Sequence, residues 1–162
     1  MTSNNKADVD LSGKAIIVTG ANAGIGKVAA RELARMGASV TMVARSRERG
    51  ENALQEVQTA SASNNVRLML CDLSSQVSIR EFAAAFESEN DRLDVLLNNA
   101  GANYFKRRES VDGLELSFAL NHNLSQRHAA LHDTDDHCAN WATSGNGYPA
   151  WSLYIAPHFT IA

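Results

Sequence analysis

Between residues 14 and 98, short apolar runs alternate with amphipathic stretches. Ala15-Ile16-Ile17-Val18 is continuous and largely β-branched, the pattern of a strand buried on both faces of a parallel sheet. After the turn that begins at Thr19-Gly20, the segment from Gly26 to Met36 places Val28, Ala29, Leu33 and Met36 at helical spacing, with Gly37 as its stop. Ser39 to Val43 reads as a second strand. Arg47 to about Thr59 reads as a second helix with Leu54 and Val57 on its inner face. The unit then repeats: Val66 to Leu70 is a third strand, and Val77 to Glu89 a helix with Ile79, Phe82, Ala83 and Phe86 facing inward. Val95-Leu96-Leu97 is a fourth strand. Strands alternating with helices at this pitch predict βαβ units, hence an α/β fold with a doubly wound parallel sheet and right-handed crossovers.

After Asn121 the pattern stops. All five histidines, both tryptophans and both prolines lie from residue 122 onward, and no lysine follows Lys106. Apart from Ala129, Ala130 and Leu131 this stretch shows no sustained period, so no element is assigned to it. A short odd domain end, a disordered tail and out-of-frame translation all stay open. The expected division is therefore a folded part over 10–122 and an atypical tail over 123–162. Ending the sheet at the fourth strand would leave the apolar Val95-Leu96-Leu97 edge exposed, an invitation to self-association. Trp141, Trp151, Leu153, Tyr154, Ile155 and Phe159 offer apolar surface, but no pattern aims them at that edge.

Composition narrows the function classes. A formal net charge of -3 provides no field that would attract nucleic acid or an anionic membrane, so neither is an expected partner. The polar start Met1-Thr2-Ser3-Asn4-Asn5-Lys6-Ala7-Asp8 lacks the form of a signal peptide, and no apolar run approaches a membrane span. Cys71 and Cys138 lie far apart and fit free thiols, which makes the cytoplasm the expected location.

The chemistry concentrates where strands end. Thr19-Gly20-Ala21-Asn22-Ala23-Gly24-Ile25-Gly26 stands between a buried strand and an amphipathic helix, where a dinucleotide-binding loop belongs. Gly20 permits a tight turn, Gly24 lets backbone N–H groups approach a pyrophosphate, and Gly26 lets the helix start close to the strand. After the second strand the chain has Arg45, where an NAD site would place an acid for the adenosine ribose 2′-hydroxyl. An arginine there can fork onto a 2′-phosphate, which points to NADP(H); the bland alternative is a solvated surface arginine. Asp72-Leu73 follows the third strand, placed for the adenine exocyclic amine or, alternatively, for a turn or N-cap. Asn98-Asn99-Ala100-Gly101 closes the fourth strand with small residues that leave space for a ribose and amides that can bond neighbouring loops.

Taken in order and spacing, Thr19 through Gly26, Asp72-Leu73, Asn98 through Gly101 and Asn121-His122 resemble the short-chain dehydrogenase/reductase family, most closely its retinol-dehydrogenase-like branch. The resemblance covers roughly residues 10–122. It implies a Rossmann-type sheet, here truncated after the fourth strand, with NADP(H) contacts at Gly20, Asn22, Gly24, Ile25, Gly26, Arg45, Asp72, Leu73, Asn99, Ala100 and Gly101. It also implies hydride exchange between NADP(H) and a small alcohol or carbonyl by a catalytic set of Asn, Ser, Tyr and Lys. Asn121 matches the asparagine, which holds a proton-relaying water in the family. From the residues alone it is only a helix asparagine able to back-bond to its own turn.

The other three are not matched. Tyr148 and Tyr154 are the only tyrosines after Asn121, and neither has a lysine four residues on. Ser125 follows Asn121 too closely, and Ser144 sits in a run of turn composition. The chain as written is therefore expected to bind cofactor and to transfer no hydride. A reading from another class is a non-catalytic dinucleotide-binding or interaction module with a functional tail. A third has His128, His132, Asp133, Asp135, Asp136, His137 and Cys138 hold a divalent metal, against the ordinary reading of a solvated loop, so no metal is expected.

Overall fold

Successive side chains of a strand point to opposite faces of its sheet, so a strand covered on both sides must be apolar throughout. A computed structural model describes residues 9–127 and 152–155 and shows this arrangement. The elements run β1 (Ala15–Thr19), α1 (Gly24–Arg35), β2 (Ser39–Ala44), α2 (Arg47–Ser61), β3 (Val66–Leu70), α3 (Gln76–Glu89), β4 (Val95–Asn98), α4 (Leu116–Arg127) and β5 (Ser152–Ile155). β1 pairs in parallel with both β2 and β4, and β2 with β3. The spatial order is β3-β2-β1-β4-β5.

Ile16 and Val18 of β1, Val40 and Met42 of β2 and Val95 and Leu97 of β4 join one core with α1 and α2 residues Ala30, Ala34, Ala53 and Val57. The alternate positions, Ile17, Val43 and Leu96, join a second core with Ile79, Phe82 and Phe86 of α3. The sheet is thus doubly wound, as the apolar runs predict.

The inner face of α1 differs from the sequence expectation. Gly26, Ala30 and Ala34 are buried, whereas Val28 is 47% exposed. Small residues at i, i+4 and i+8 let the helix axis approach closely, and Leu33 is the larger side chain packed against the core. Size alone misassigned the stripe. The helix also begins at Gly24, two residues before the expected start, while α2 buries Gly50 and Ala53 beside Val57, and Leu54 packs against that core. Ser46 and Ser75 cap α2 and α3 by accepting from the N–H groups of Arg49 and Ser78.

The amino ends of β1 and β4 are joined by a buried carboxylate. Asp94, 4% exposed, accepts from the Ala15 N–H at 2.8 Å, and its own N–H donates to the Ala15 carbonyl at 2.9 Å. Arg92 donates to the same carboxylate and Lys14 Nζ lies 3.4 Å from it.

The expected open edge at β4 is not present. β5 pairs antiparallel with β4 through Val95↔Ile155, Leu96↔Tyr154, Leu97↔Leu153 and Asn98↔Ser152. The sheet therefore continues past its fourth strand, and β4 is internal. Sequence periodicity missed β5 because four residues are too few to show a period.

Candidate functional site

In a parallel sheet the loops after the strands gather at the carboxyl edge, and a cleft opens where the strand order reverses. That reversal lies between β1 and β4, which are neighbours in space but far apart in sequence. The loops after β1 and β4 accordingly pack on each other. The Thr19 hydroxyl is the centre of this junction. It is 1% exposed, donates to the Leu97 carbonyl at 3.3 Å and accepts from the N–H groups of Asn99 and Ala100, both at 3.0 Å. Asn99 Nδ2 returns bonds to the carbonyls of Thr19 at 2.8 Å and Gly20 at 3.3 Å.

Two glycines of the first loop have separate duties. Gly24 has φ +55° at the first residue of α1, and a Cβ added there would meet nothing within 4 Å. Open space therefore lies against the N-terminus of a twelve-residue helix, where unpaired N–H groups and the helix dipole favour an anion. Gly26 is packed instead: its Cβ would lie 2.2 Å from Asn99 Nδ2 and 2.7 Å from the Gly20 carbonyl oxygen. Its close approach is thus to the turn and the β4 loop, where the sequence suggests the strand itself. Gly20 adopts a left-handed φ of +63° against Ala100, Asn22 is half-buried beside it, and Ile25 is 64% exposed at the loop's outer side.

The remaining candidates ring this space. Arg45 is exposed just beyond β2, immediately before the α2 cap Ser46. Asp72 stands beyond β3, with Oδ1 accepting from the Ser74 N–H at 3.0 Å and hydroxyl at 2.6 Å. The turn role weighed for Asp72 is thereby realised at one carboxylate oxygen, while Leu73 is buried in the α3 core. Ser78 Oγ accepts from the Asp72 N–H and contacts Cys71 Sγ at 3.8 Å. Burial pushes the Cys71 thiol up to about 11, which the Ser78 bond only partly offsets; nearby Asp72 raises it further.

Asn121 lies on α4 and reaches back to the β4 loop. Its Oδ1 accepts from the Ala102 N–H at 3.0 Å, and its Nδ2 donates to the Ala102 carbonyl at 2.9 Å. The side-chain amide thus completes the backbone bonding of Ala102, one residue past Gly101. Back-bonding to its own turn is not its role. The Glu115 carboxylate accepts from the N–H groups of Ser117 and Phe118 at the start of α4, and those bonds lower its pKa.

Sequence reasoning identified the loops but missed the hydroxyl of Thr19 and the roles of Ser74, Ser78 and Ala102. The signal for Thr19 was a lone polar residue ending an apolar strand. The tail residues His128, His132, Asp133, Asp135, Asp136, His137, Cys138, Ser144 and Tyr148 lie outside the described residues. Among the described residues no group of three or more His, Cys, Asp or Glu could hold a metal, and no helix is long and apolar enough to cross a membrane.

A family model described as short chain dehydrogenase matches residues 14–125. Retinol dehydrogenase 12 of Bos taurus is 44% identical over 117 residues, which are 72% of this chain and 37% of that relative. The chain thus spans a little over a third of that relative's length. Among solved structures, the Pseudomonas aeruginosa RhlG/NADP active-site complex matches with TM-score 0.64 and 32% identity, over 76% of this chain and 48% of that one. A metagenomic short-chain oxidoreductase in complex with NADP matches with TM-score 0.62 and 32% identity, over 75% and 57% of the two chains.

Proposed function

The chain belongs to the short-chain dehydrogenase family, and from that premise we propose that it is the NADP(H)-binding half of an oxidoreductase acting on alcohol and carbonyl groups. The observation that carries this reading is the open space at Gly24, at the N-terminus of α1 and at the point where the strand order reverses. A pyrophosphate fits a cradle that has no side chain in it and donors around it. Gly20, Asn22, Gly24, Ile25 and Gly26 would line the pyrophosphate. Arg45 would hold the 2′-phosphate and Asp72 with Leu73 the adenine, while Asn99, Ala100 and Gly101 would hold the ribose on the nicotinamide side. The matched solved structures in complex with NADP support the phosphorylated form of the cofactor.

When bound, the nicotinamide supplies or accepts the hydride. The chain's own residues position it: Thr19 and Asn99 lock the first and fourth loops into one surface, and Asn121 fixes Ala102 at its rim. Asn121 would stand for the asparagine of the family's catalytic set. The Ser, Tyr and Lys are not matched in this chain, so proton transfer at the substrate oxygen has no assigned group. This supports the second reading of a cofactor-binding module without turnover, although the division at 122/123 falls inside α4 and β5 joins the sheet. The buried free thiol of Cys71 fits a reducing, cytoplasmic setting.

Calorimetric titration of the chain and its Arg45→Ala variant with NADP(H) and NAD(H) tests the reading. NADP(H) is expected to bind more tightly. Because Arg45 is exposed, the variant should lose about tenfold, the low end of a charged hydrogen bond at roughly 1.5 kcal/mol, for NADP(H) alone. Equal affinities would remove the NADP(H) preference, and no binding of either would overturn the dinucleotide reading.

A further inference from the structure

Between β4 and α4 the chain contains Asp112-Gly113, a pair of residues suited to a tight turn. From Glu109 to Glu115 it folds back on itself. Glu109 and Glu115 form an antiparallel bridge, the Ser110 N–H donates to the Leu114 carbonyl at 2.7 Å, and Gly113 takes a left-handed φ of +74°. The Ser110 hydroxyl oxygen accepts from the N–H groups of Asp112 at 3.2 Å and Leu114 at 3.3 Å, which holds the turn from within. Two carboxylates of this hairpin reach different helices. Asp112 Oδ2, at the turn, accepts at 2.7 Å from the N–H of Gln76, the first residue of α3. Glu115, at the base, accepts from the N–H groups of Ser117 at 3.0 Å and Phe118 at 2.8 Å in the first turn of α4. The first N–H groups of a helix have no partner within it, and the helix dipole favours negative charge there, so each carboxylate anchors the hairpin to one helix start.

The two helices serve different parts of the cleft. α3 follows the Asp72 turn, whose main-chain carbonyl accepts from the Ser75 N–H at 3.0 Å. α4 carries Asn121, which bonds both backbone groups of Ala102, and Ser117, whose hydroxyl accepts from the Tyr104 N–H at 3.1 Å. Resting on the dinucleotide reading, in which Asp72 faces the adenine and the β4 loop the nicotinamide side, we propose that the 109–115 hairpin couples these two loops, with Asp112 as the positioning residue at its α3 end. Asp112 acts through the Gln76 N–H and Glu115 through the start of α4, so the loop after β3 and the segment from Ala102 to Tyr104 are fixed to one rigid turn. Ordering either loop then favours the ordered form of the other, and by linkage the effect runs equally in both directions.

Amide exchange measured residue by residue in the full chain tests this. Without ligand, Asp112→Ala should speed exchange at Gln76 and, across the hairpin, at Ala102 and Tyr104 by about fivefold, the low end of coupling between two sites. Asp112→Asn keeps an acceptor oxygen and should restore most of the protection, a rescue that general damage to the fold would not show. Adenosine 2′,5′-bisphosphate, the adenine end of NADP(H) alone, should slow exchange at Ala102 and Tyr104 in the wild type, and should do so much less in Asp112→Ala. An alanine variant altered at Gln76 and not at Ala102 and Tyr104 would make Asp112 a local helix cap and overturn the inference. An asparagine variant no better than alanine, or Ala102 and Tyr104 unmoved when the bisphosphate binds, would overturn it equally while leaving the dinucleotide reading in place. No binding of the bisphosphate to the wild type would overturn that reading, and this inference with it.

Discussion

Asn99 and Gly26 occupy nearly the same space: a Cβ on residue 26 would lie 2.2 Å from Asn99 Nδ2, the nitrogen that donates to the Thr19 and Gly20 carbonyls. Adding that carbon must displace the amide that joins the first and fourth loops. Gly26→Ala is therefore expected to destabilise the chain by about 1–3 kcal/mol, the usual cost of overpacking, and to weaken cofactor binding with it. Gly24→Ala is the contrasting change, since its Cβ meets nothing and its cost is the left-handed backbone, about 1–2 kcal/mol. It fills the open cradle, so its loss of cofactor affinity should exceed what its stability loss accounts for. Urea melts paired with cofactor titration measure both. Equal behaviour of the two variants would show that the glycines do not divide the work in this way.

Asp94 should make the sheet sensitive to acid. Burial alone would raise its pKa, but the Ala15 N–H, the Arg92 bond and charge and the Lys14 bond together hold it below the ordinary 3.8. A carboxyl depressed in the folded state contributes stability above the unfolded value and loses it as pH falls through the lower folded value. Stability should fall from about pH 4 downward as this group takes up its proton. Asp94→Ala should cost about 2 kcal/mol at pH 7, largely by leaving the Ala15 N–H without its acceptor, and should flatten the acid limb. Denaturation at pH 7 and at successively lower pH is the measurement.

Asn121→Ala removes both side-chain bonds to Ala102. Because Asn121 is exposed, water can replace part of what is lost, so the expected stability cost is about 1 kcal/mol or less. The local effect should be larger: faster amide exchange at Ala102 and earlier proteolysis in the loop that follows. Unchanged exchange there would show that the loop is held by its other bonds, such as Tyr104 N–H to Ser117 Oγ at 3.1 Å.

No turnover above background is expected from this chain with aldehydes, ketones or alcohols, even with NADP(H) bound. A positioned general acid typically contributes about 10²–10⁴-fold, and an oxyanion donor about 10²–10³-fold. Neither Tyr148 nor Tyr154 has a lysine four residues on, and β5 places the Tyr154 backbone in the sheet opposite Leu96. Following NADPH absorbance tests this. Steady turnover that responds to substitution of either tyrosine would show that another catalytic arrangement exists.

The alternation of elements through β4 was legible because each strand there is a short, mainly apolar run and each connection has the length of a helix. α3 was read with all four of its inward residues, since its buried positions are large. α1 was misread on one face because its buried positions are glycine and alanine, whose importance lies in the backbone approach they permit. Motif spacing likewise located the loops around the site, yet the same letters served Asp72 as a base contact or as a turn.

Local sequence determined which segments become strands and helices up to β4, and that glycines would stand at the carboxyl end of β1, because those depend on periodicity and backbone freedom within a few residues. Tertiary structure alone decided that Asn99 lies against Gly26, that Asp94 joins the starts of β1 and β4, that Asn121 completes Ala102, and that β5 covers β4. Each of these brings together groups from separate parts of the chain. Which polar atom finds which partner depends on how strands are ordered and how closely loops approach, and a pattern along one segment carries no record of either.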